Sequence, residues 1–505
     1  MKNAYKSQPS VRAPTPRRKL FDLHSWCGFN LCAFMCLVVF TGTIAVISDE
    51  IDWLIHPEMR AHGQPENIDW GAMQAAVHEF SDQDTLMSLS AGEEGYFNYR
   101  ATMFKPSGTR YFLYIDPVKN EIVGTSSALT VQRFFRDLHR YLFMPSYLGL
   151  PLVTTMAVAL LVSLYTGLKT VRNWKTVALR LRFNRGIRVA VGDFHKASGL
   201  WGIWFFLIII VTSFWYFAEF VGAVTANHFE PSRPGIERTS GPVLHDADAA
   251  QLVQAAITAM PGFHPTSIQF AVRPTQAATV LGRLNDPLVR QRANRVFINP
   301  LDASVVHSQR SAEIGWVAYL NELADPIHFG SFGSLVTKLI WFAFGVSMLT
   351  LTLTGVWLTW RRVKDRTPTT AQWANLPLIV LVCAFAVPYL ERYKDTRVFH
   401  NSETATAELI GNITLNLILE TTPSNEFTGH YTLNFRAPEG RLNIREAALH
   451  AGRTELGRFT PSILGSTVSF SGFFEPENVA GNIFHIQTLF EAGKFSEVSV
   501  LLGAQ

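Results

Sequence analysis

The stretches LHSWCG at 23–28 and FHKASG at 194–199 decide the architecture, because each opens a long apolar segment with the same spacing of histidine and glycine. A shift of 171 residues aligns His24 with His195, Gly28 with Gly199, and Thr41-Gly42 with Thr212-Ser213. Self-similarity at one fixed separation is the sequence signature of a repeated structural unit. The chain is therefore predicted to contain two copies of one unit.

A second pair of stretches repeats in the same way, with one residue of slippage. Asp137-Leu138-His139 is followed by Phe143 and Thr166-Gly167, and Asp325-Pro326-Ile327-His328 is followed by Phe332 and Thr354-Gly355. Each unit thus contains two apolar segments, and each segment has a histidine near its start.

Composition indicates a membrane protein with sizeable aqueous parts, since 48% of the 505 residues are hydrophobic and only 17% are charged. A helix needs about 20 apolar residues to cross a bilayer core. Five uncharged apolar stretches approach or exceed this length: Ser25 to Ser48, Tyr141 to Leu168, Ala197 to Ala218, Leu339 to Trp360 and Trp373 to Leu390. We expect about five transmembrane helices, of which the last is the shortest.

Basic residues predict the orientation. Lysines and arginines cluster at 17–19, 169–188 and 361–366, and all three clusters share one side if the N-terminus is cytoplasmic. The net charge of +4 is then mostly a topology signal and does not indicate nucleic-acid binding. We read the first apolar stretch as an uncleaved anchor, because no small-residue cleavage site of the usual kind follows it.

The segments outside the membrane also repeat. Each begins with a helical stretch, Asp69 to Phe80 and Asp246 to Met260, and each ends in two strands around an Asp-Pro or Asn-Pro turn, at 116–117 and 299–300. The remaining residues, 391–505, alternate in the manner of strands and predict a small β-sandwich. The predicted fold class is membrane α-helical, with two outside α+β domains in an internal repeat and a C-terminal all-β domain.

The corresponding boundaries are as follows. We expect a cytoplasmic N-terminus at 1–19, transmembrane helices at 20–48, 136–168, 194–222, 326–360 and 373–390, cytoplasmic loops at 169–193 and 361–372, outside α+β domains at 49–135 and 223–325, and the outside β domain at 391–505.

Four histidines near membrane spans indicate a function, because ionisable residues there are costly. The repeat symmetry pairs His24 with His195 near the cytoplasmic face and His139 with His328 near the outer face. A planar cofactor that takes one axial ligand from each side fits between paired imidazoles, and haem b with two histidine ligands fits best. Covalent attachment is excluded, since the chain has no C-x-x-C-H motif.

Neighbouring residues support two haem b groups. A glycine four residues after each inner histidine lets a flat macrocycle approach the helix backbone, and Phe143 and Phe332 occupy the equivalent places at the outer pair. Arginines and lysines near each pair could bind haem propionates, although the inner ones also follow from the positive-inside bias. They are Arg136 and Arg140 at the outer pair, and Arg17, Arg18, Lys19, Arg188 and Lys196 at the inner pair. The candidate cofactor-binding residues are His24, His195, His139, His328, Gly28, Gly199, Arg136 and Arg140, with the four histidines as ligands of haem iron.

A bound zinc or copper ion is the alternative occupant of the histidine pairs. Such ions take three or four nearby ligands, whereas the sequence supplies two histidines per level and no matched acidic or cysteine set. The sequence also lacks a G-x-G-x-x-G motif after a strand and a Walker-type loop, so no flavin or nucleotide site is evident.

These motifs resemble the PepSY-associated transmembrane-helix family, in particular its dihaem siderophore reductases of the bacterial inner membrane. The resemblance covers roughly residues 15–365 and implies two periplasmic PepSY-like domains over the outer histidines. It implies an oxidoreductase that moves electrons across the membrane and reduces ferric siderophore iron in the periplasm. Quinol or a cytoplasmic reductase is the expected donor. The fifth span and residues 391–505 go beyond the four-helix pattern of those reductases.

Two other functions remain open. The chain could be a PepSY-domain envelope regulator or peptide-binding protein whose helices are anchors without redox activity. It could also keep the haems and reduce another periplasmic acceptor, such as cupric ion or a partner protein. A regulator would purify colourless, whereas a haem protein would purify red.

Overall fold

The computed structural model describes most of the chain. The described residues are 15–81, 84–92, 94–105, 110–225, 228–236, 248–271, 276–284, 286–363, 375–391 and the strands of the C-terminal region between 402 and 501. The predicted cytoplasmic N-terminus up to residue 14, the loop residues 364–374 and the predicted helix start at Asp246 lie outside these ranges.

Helices dominate the first 391 residues. In chain order they are α1 (Pro16–Asn30), α2 (Cys32–Val46), α3 (Ser48–Ile55), α4 (Trp70–Phe80), α5 (Val131–Tyr141), α6 (Ser146–Thr154), α7 (Met156–Thr170), α8 (Trp174–Leu179), α9 (Ile187–Trp201), α10 (Ile203–Val224), α11 (Ala249–Ala259), α12 (Gly315–Phe329), α13 (Ser334–Val363) and α14 (Asn375–Glu391).

Four of the five predicted spans correspond to helical segments that are long and apolar enough to cross a membrane. Among the described residues, three helical segments are long and apolar enough to cross a bilayer: Ser146–Thr170, Ile203–Val224 and Ser331–Arg362. Helices α1 and α2, bent by 67° at Leu31, make a fourth span when they are taken together. Helix α14 has 17 residues, fewer than the about 20 that a full crossing needs. The chain is therefore a membrane protein by helix length and composition.

The first span of each unit breaks at the same place. Helix α1 gives way to α2 at Leu31, and α9 gives way to α10 at Gly202, which is the equivalent position 171 residues later. A Cβ atom at Gly202 would meet the Phe206 ring at 2.5 Å, so this break is closely packed. The spans of the two units pack against each other: α2 of the first unit contacts α13 of the second, and α7 of the first unit contacts α10 of the second.

The eight strands between residues 85 and 309 form one sheet. The strands are β1 (Thr85–Ser90), β2 (Tyr99–Phe104), β3 (Arg110–Ile115), β4 (Ile122–Ser127), β5 (His264–Gln269), β6 (Ala278–Arg283), β7 (Asn294–Ile298) and β8 (Val305–Gln309). Their order is β4-β3-β2-β1-β5-β6-β7-β8, antiparallel throughout.

This arrangement differs from two separate outside domains. The edge strands β1 and β5 pair with Leu89 opposite Ile268, and the hydroxyls of Ser90 and Ser267 lie 2.9 Å apart. An exposed strand edge presents unpaired backbone groups, and here each unit covers the edge of the other. The sheet order is symmetric about this junction, which places the pseudo-twofold axis between β1 and β5.

The two faces of the sheet have different roles. Helices α4 and α11 cover one face, and the shared core contains Met73, Leu89, Leu252 and Val280. Side chains alternate between faces along a strand, so the residues between the core positions of β2 and β3 point to the opposite face. That face packs on α3 and on the short 3-10 turn Pro57–Met59.

The C-terminal region is all-β, as its alternating sequence predicts. Its strands are β9 (Ser402–Leu409), β10 (Ile413–Glu420), β11 (Gly429–Arg436), β12 (Ile444–Ala451), β13 (Thr454–Phe459), β14 (Thr467–Phe474), β15 (Ile483–Phe490) and β16 (Phe495–Leu501). They form two four-stranded antiparallel sheets, in the orders β14-β11-β10-β9 and β13-β12-β15-β16.

Candidate functional site

The four candidate histidines form two facing pairs. The ring centres of His24 and His195 are 6.2 Å apart with 76° between the ring planes. Those of His139 and His328 are 6.3 Å apart with 38° between the planes. Each pair joins a histidine of the first unit to its equivalent in the second, as the repeat symmetry predicts.

The helices that carry the outer histidines differ from the prediction. His139 and His328 do not begin the inward spans; they lie in the last turns of α5 and α12. Helix α5 is capped by Leu142, with a φ of 54°, and α12 is capped by Gly330, with a φ of 72°. A left-handed residue satisfies the last helical carbonyls and turns the chain, so the inward span starts as a new helix.

The same breaks remove the predicted aromatic packing at the outer pair. Phe143 itself has a φ of 61°, so it does not lie one turn above His139 on a helix. Its ring stacks on Tyr389 of α14, with centres 4.2 Å apart. Phe332 lies in the turn Ser331–Gly333 and contacts Trp341, with ring centres 5.2 Å apart. The expected i+4 contacts of Phe143 and Phe332 with the site are therefore wrong.

Every imidazole is held through its Nδ1 atom by the other span of its own unit. The Nδ1 contacts are His24 with the Ser163 carbonyl at 3.0 Å and Thr166 Oγ1 at 3.2 Å, His139 with the Val38 carbonyl at 2.9 Å and Thr41 Oγ1 at 3.4 Å, His195 with the Leu351 carbonyl at 3.0 Å and Thr354 Oγ1 at 3.0 Å, and His328 with Thr212 Oγ1 at 2.7 Å.

These contacts determine which ring nitrogen is available. A carbonyl oxygen only accepts, so His24, His139 and His195 donate from Nδ1 and keep a lone pair on Nε2. The Thr212 hydroxyl already donates to the Ile208 carbonyl at 2.8 Å, so its oxygen accepts from His328. All four rings thus adopt the tautomer in which Nε2 can bind a metal, and each Nδ1 has the hydrogen-bond partner that metal-binding histidines usually have.

The Thr-Gly motifs explain part of the repeat. Their threonines bind Nδ1 atoms, and a Cβ atom at the following glycine would crowd the same ring. The distance to the imidazole Cε1 would be 2.6 Å from Gly42 to His139, 3.3 Å from Gly167 to His24 and 3.0 Å from Gly355 to His195. Sequence reasoning used these motifs only to align the units. Their recurrence opposite three of the four histidines, with Thr212-Ser213 opposite His328, was the signal for this role.

The inner glycines leave space beside the histidines. A Cβ atom at Gly28 would meet no heavy atom within 4 Å, and one at Gly199 would meet only Leu351, at 3.7 Å. Most helical glycines in a packed bundle face a neighbour, because protein interiors are closely packed. The backbone at both positions is therefore accessible to a flat group.

The spacing of each pair fits one metal with two axial imidazoles. A metal lies about 2 Å from a coordinating imidazole nitrogen and so about 3 Å from the ring centre. Two imidazoles on opposite sides of one metal then have centres about 6 Å apart. The observed 6.2 and 6.3 Å match this value without a movement of either helix.

Other metal centres have less support. Within the described ranges, no group of three or more histidine, cysteine, aspartate or glutamate residues is arranged to hold a metal ion. A closed zinc or copper site needs such a group. A cofactor that supplies its own equatorial ligands, as haem does, needs only the two histidines.

The basic residues predicted to bind haem propionates have different surroundings at the two histidine pairs. Arg136 and Arg140 line a largely apolar cavity beside the outer pair, together with Tyr216 and Asp325. At the inner side Arg17 and Arg18 line a cleft with Arg362, and Arg17 donates to the Thr170 carbonyl. Lys196 forms an ion pair with Asp193 at 3.5 Å, while Lys19 and Arg188 are exposed. The outer arginines are thus better placed than the inner set.

A polar network missed by sequence reasoning supports His328. The Tyr216 ring lies 5.2 Å from the His328 ring, and its hydroxyl donates to Asp325 at 2.7 Å. Arg290 binds Asp325 at 2.7 Å and Glu322 at 2.8 Å. Burial opposes the charge of Arg290, but the two carboxylates raise its pKa overall. The network connects α12 to α10 and to the segment around Arg290.

Helix α5, which carries His139, is held at its other end. Asp52, 1% exposed, accepts hydrogen bonds from the backbone N–H groups of Val131 and Gln132 at 2.7 and 2.8 Å. A carboxylate at a helix N-terminus satisfies free N–H groups and complements the helix dipole. No local motif marks Asp52, because it is about 80 residues away in the sequence.

The chain matches the family described as PepSY-associated TM region over residues 21–362, which is more than half of its length. The match begins just before His24, ends in α13 and includes both histidine pairs. The comparison with curated proteins gave no match.

Proposed function

Because the chain belongs to the PepSY-associated TM region family, we propose that it is a dihaem oxidoreductase of the bacterial inner membrane that reduces ferric chelates, such as ferric siderophores, on the periplasmic side. The observation that carries the proposal is the geometry of the two histidine pairs. Both have the ring separation of axial ligands, and all four Nε2 atoms are left free by contacts at Nδ1.

In this proposal the residues have separate roles in electron transfer across the membrane. His24 and His195 would hold one haem b on the cytoplasmic side, and His139 and His328 would hold the other on the periplasmic side. A haem bound at each level supplies an iron that gains and loses one electron. The protein would supply position, imidazole ligands and burial, and Arg140, which lines the cavity beside His139 and His328, would bind a propionate of the outer group. Two levels divide a hydrocarbon core of about 30 Å into shorter steps.

The electron balance constrains the donor. Each ferric ion takes one electron, so a quinol that releases two electrons and two protons serves two ferric ions. A cytoplasmic reductase would instead dock on the basic segment 169–188. The ferrous product binds most oxygen-rich chelators more weakly than the ferric ion does, so reduction releases the iron.

The direct test is haem content and visible absorption of the protein purified in mild detergent. We expect about two b-type haems per chain in the wild type and about one in His24→Ala and in His139→Ala. The matched control is His62→Ala, because His62 is exposed outside the membrane and should leave the haem content unchanged. Dithionite-reduced protein should then reduce ferric chelates, measured with a ferrous-specific dye.

A colourless protein from cells with ample haem would refute the proposal and favour the envelope-regulator function. Two haems without reduction of any ferric chelate would retain the haem sites and redirect the search to cupric ion or a partner protein.

A further inference from the structure

A second cavity lies outside the membrane, on the face of the sheet opposite α4 and α11. It has a volume of about 290 Å³ and extends from strands β2 and β3 to the first turns of α5. Its floor includes Phe112 and Tyr114 of β3, and its wall includes Gln132, Arg133 and Arg136 of α5. It belongs to the first unit, and nothing in the proposed function above assigns it a role.

The cavity has an excess of basic side chains. Four arginines line it, at positions 100, 110, 133 and 136, against two aspartates, Asp49 and Asp52. Both carboxylate oxygens of Asp52 accept from the N-terminus of α5, so this carboxylate already has its partners. The guanidinium of Arg100 lies 4.7 Å above the Phe112 ring in an exposed position, where an arriving anion can reach it. Arg133 pairs with Asp137 at 3.6 Å, so the basic excess rests mainly on Arg100 and Arg136, and it favours an anionic ligand.

Helix α5 connects this cavity to the outer histidine pair. Residues three and four apart share one face of a helix, so Arg133, Arg136 and Arg140 form a stripe that runs past His139. Arg136 lines both this basic cavity and the cavity beside His139 and His328. Arg133 and His139 are six residues apart, which is about 9 Å along the helix axis.

We propose that this basic cavity is the acceptor site and that it takes a compact, multiply anionic ferric chelate. The inference rests on the proposed function, and it narrows the substrate class. Pockets for small ligands begin at about 300 Å³. A carboxylate chelate of the size of ferric citrate therefore fits the space, whereas a bulky or cationic siderophore does not.

In the second unit, the arginine at the equivalent place is buried. Strand β7 repeats the Arg-x-Phe pattern of β3, with Arg295 in the place of Arg110. Arg295 is only 3% exposed, lies over the Phe297 ring and donates to Gln309 at 3.1 Å. The Arg295 guanidinium is therefore buried and bound within the protein, so the second unit does not present this charge to a ligand.

The test uses gallium(III) citrate, because gallium has the charge and size of ferric iron but is not reduced. Calorimetric titration of the full-length protein with this probe measures binding without any dependence on electron transfer. We expect Arg100→Gln and Arg136→Gln each to weaken binding at least tenfold. Arg283→Gln, an exposed arginine of β6 outside the cavity, is the matched control and should bind as the wild type does. Gallium(III) desferrioxamine B, a cationic chelate, should bind at least tenfold more weakly.

Equal binding of gallium citrate by the wild type, Arg100→Gln and Arg136→Gln would overturn the assignment, as would a preference for the cationic chelate. Arginine-dependent binding in a protein that lacks haem would support the cavity as an anion site and reject only the reductase. Haem-containing protein that reduces ferric chelates without arginine-dependent binding would retain the reductase and reject this site.

Discussion

Thr212 Oγ1 lies 2.7 Å from Nδ1 of His328 and takes the place of the backbone carbonyl that holds each of the other three histidines. Across the described residues, no carbonyl bonds His328 Nδ1, so this ring depends on one side chain for its tautomer. The equivalent His139 has both the Val38 carbonyl and the more distant Thr41 hydroxyl. The outer pair is therefore asymmetric in how its two imidazoles are held.

Thr212→Val should weaken the outer haem site more than the other threonine substitutions do. Loss of an outer-shell partner typically costs about 10- to 100-fold in metal affinity or activity. We expect haem loss from the outer level in Thr212→Val at dilutions that leave the wild type intact. The measurement is haem retained after size-exclusion chromatography at falling protein concentration.

Thr354→Val is the matched comparison, because the Leu351 carbonyl still holds His195 Nδ1 in that variant. It should keep both haems under the same conditions. Equal haem loss in Thr212→Val and Thr354→Val would contradict the idea that the hydroxyl is decisive only at His328.

Gly28→Ala tests where the flat cofactor lies. The added methyl group meets no protein atom within 4 Å, and alanine favours a helix by about 1 kcal/mol over glycine, so the haem-free protein should be as stable as the wild type or slightly more so. A macrocycle beside Gly28 would meet the methyl group. We expect inner haem content to fall by half or more while the outer haem, which serves as the internal control, is unchanged. Unaltered occupancy of both haems would place the macrocycle elsewhere.

Gly42→Ala should act in the opposite way, through the protein rather than the cofactor. Its Cβ atom would lie 2.6 Å from Cε1 of His139, so the imidazole must shift. Because Nδ1 is tied to the Val38 carbonyl, the shift moves Nε2 away from the axis. We expect a weakened or high-spin outer haem in the absorption and electron paramagnetic resonance spectra. An unchanged low-spin outer signal would show that the ring has more freedom than its contacts indicate.

The sequence predicts well the features that follow from its internal repeat and from the lengths of its apolar stretches. The separation of 171 residues pairs His24 with His195, and the structure brings the centres of these rings within 6.2 Å of each other because both units pack around one axis. The apolar lengths predict the spans because a helix rises by a constant amount per residue.

Other features depend on contacts between distant residues. The left-handed Leu142 that ends α5 has no residue signature, since leucine rarely adopts that conformation, and so the start of the inward span is not evident. The pairing of β1 with β5 joins residues about 180 positions apart. The sequence of either strand alone is that of an ordinary edge strand and does not indicate this partner. The contacts of Asp52 with α5 and of Tyr216 with Asp325 were missed for the same reason.

The pair of Arg182 and Asp193 predicts a pH dependence near His195. The two hydrogen bonds from Arg182, at 2.7 and 2.8 Å, lower the pKa of Asp193 from 3.8 to about 2. A lowered folded-state pKa contributes stability that is present above the unfolded value and is lost as the pH falls through the folded value. The basic loop should thus detach from α9 only as the pH falls from about 4 to about 2.

Hydrogen exchange of residues 180–193 in the wild type and in Asp193→Asn measures this effect. The variant should exchange faster than the wild type near neutral pH, and the difference should disappear at about pH 2. A difference that persists at that pH would mean that the asparagine acts by packing and that the charge contributes nothing.

The buried ion pair between Glu50 and Lys338 predicts how firmly the two units are joined. Lys338 Nζ lies 3.0 Å from Glu50 Oε1, and the two side chains are 6% and 16% exposed. Glu50 Oε2 is buried without a hydrogen-bond partner among the described residues. Removing one member of a buried pair typically costs about 3–5 kcal/mol, because the other charge remains desolvated. Lys338→Met should therefore lower the thermal midpoint in detergent by many degrees.

The double variant Glu50→Leu/Lys338→Met should recover most of the loss, since well-packed apolar replacements of buried pairs are often neutral. Lys169→Met, at an exposed position, is the control for the loss of a lysine. If the double variant were as unstable as Lys338→Met, the pair would stabilise the interface between the units by its own attraction, and the desolvation argument would fail.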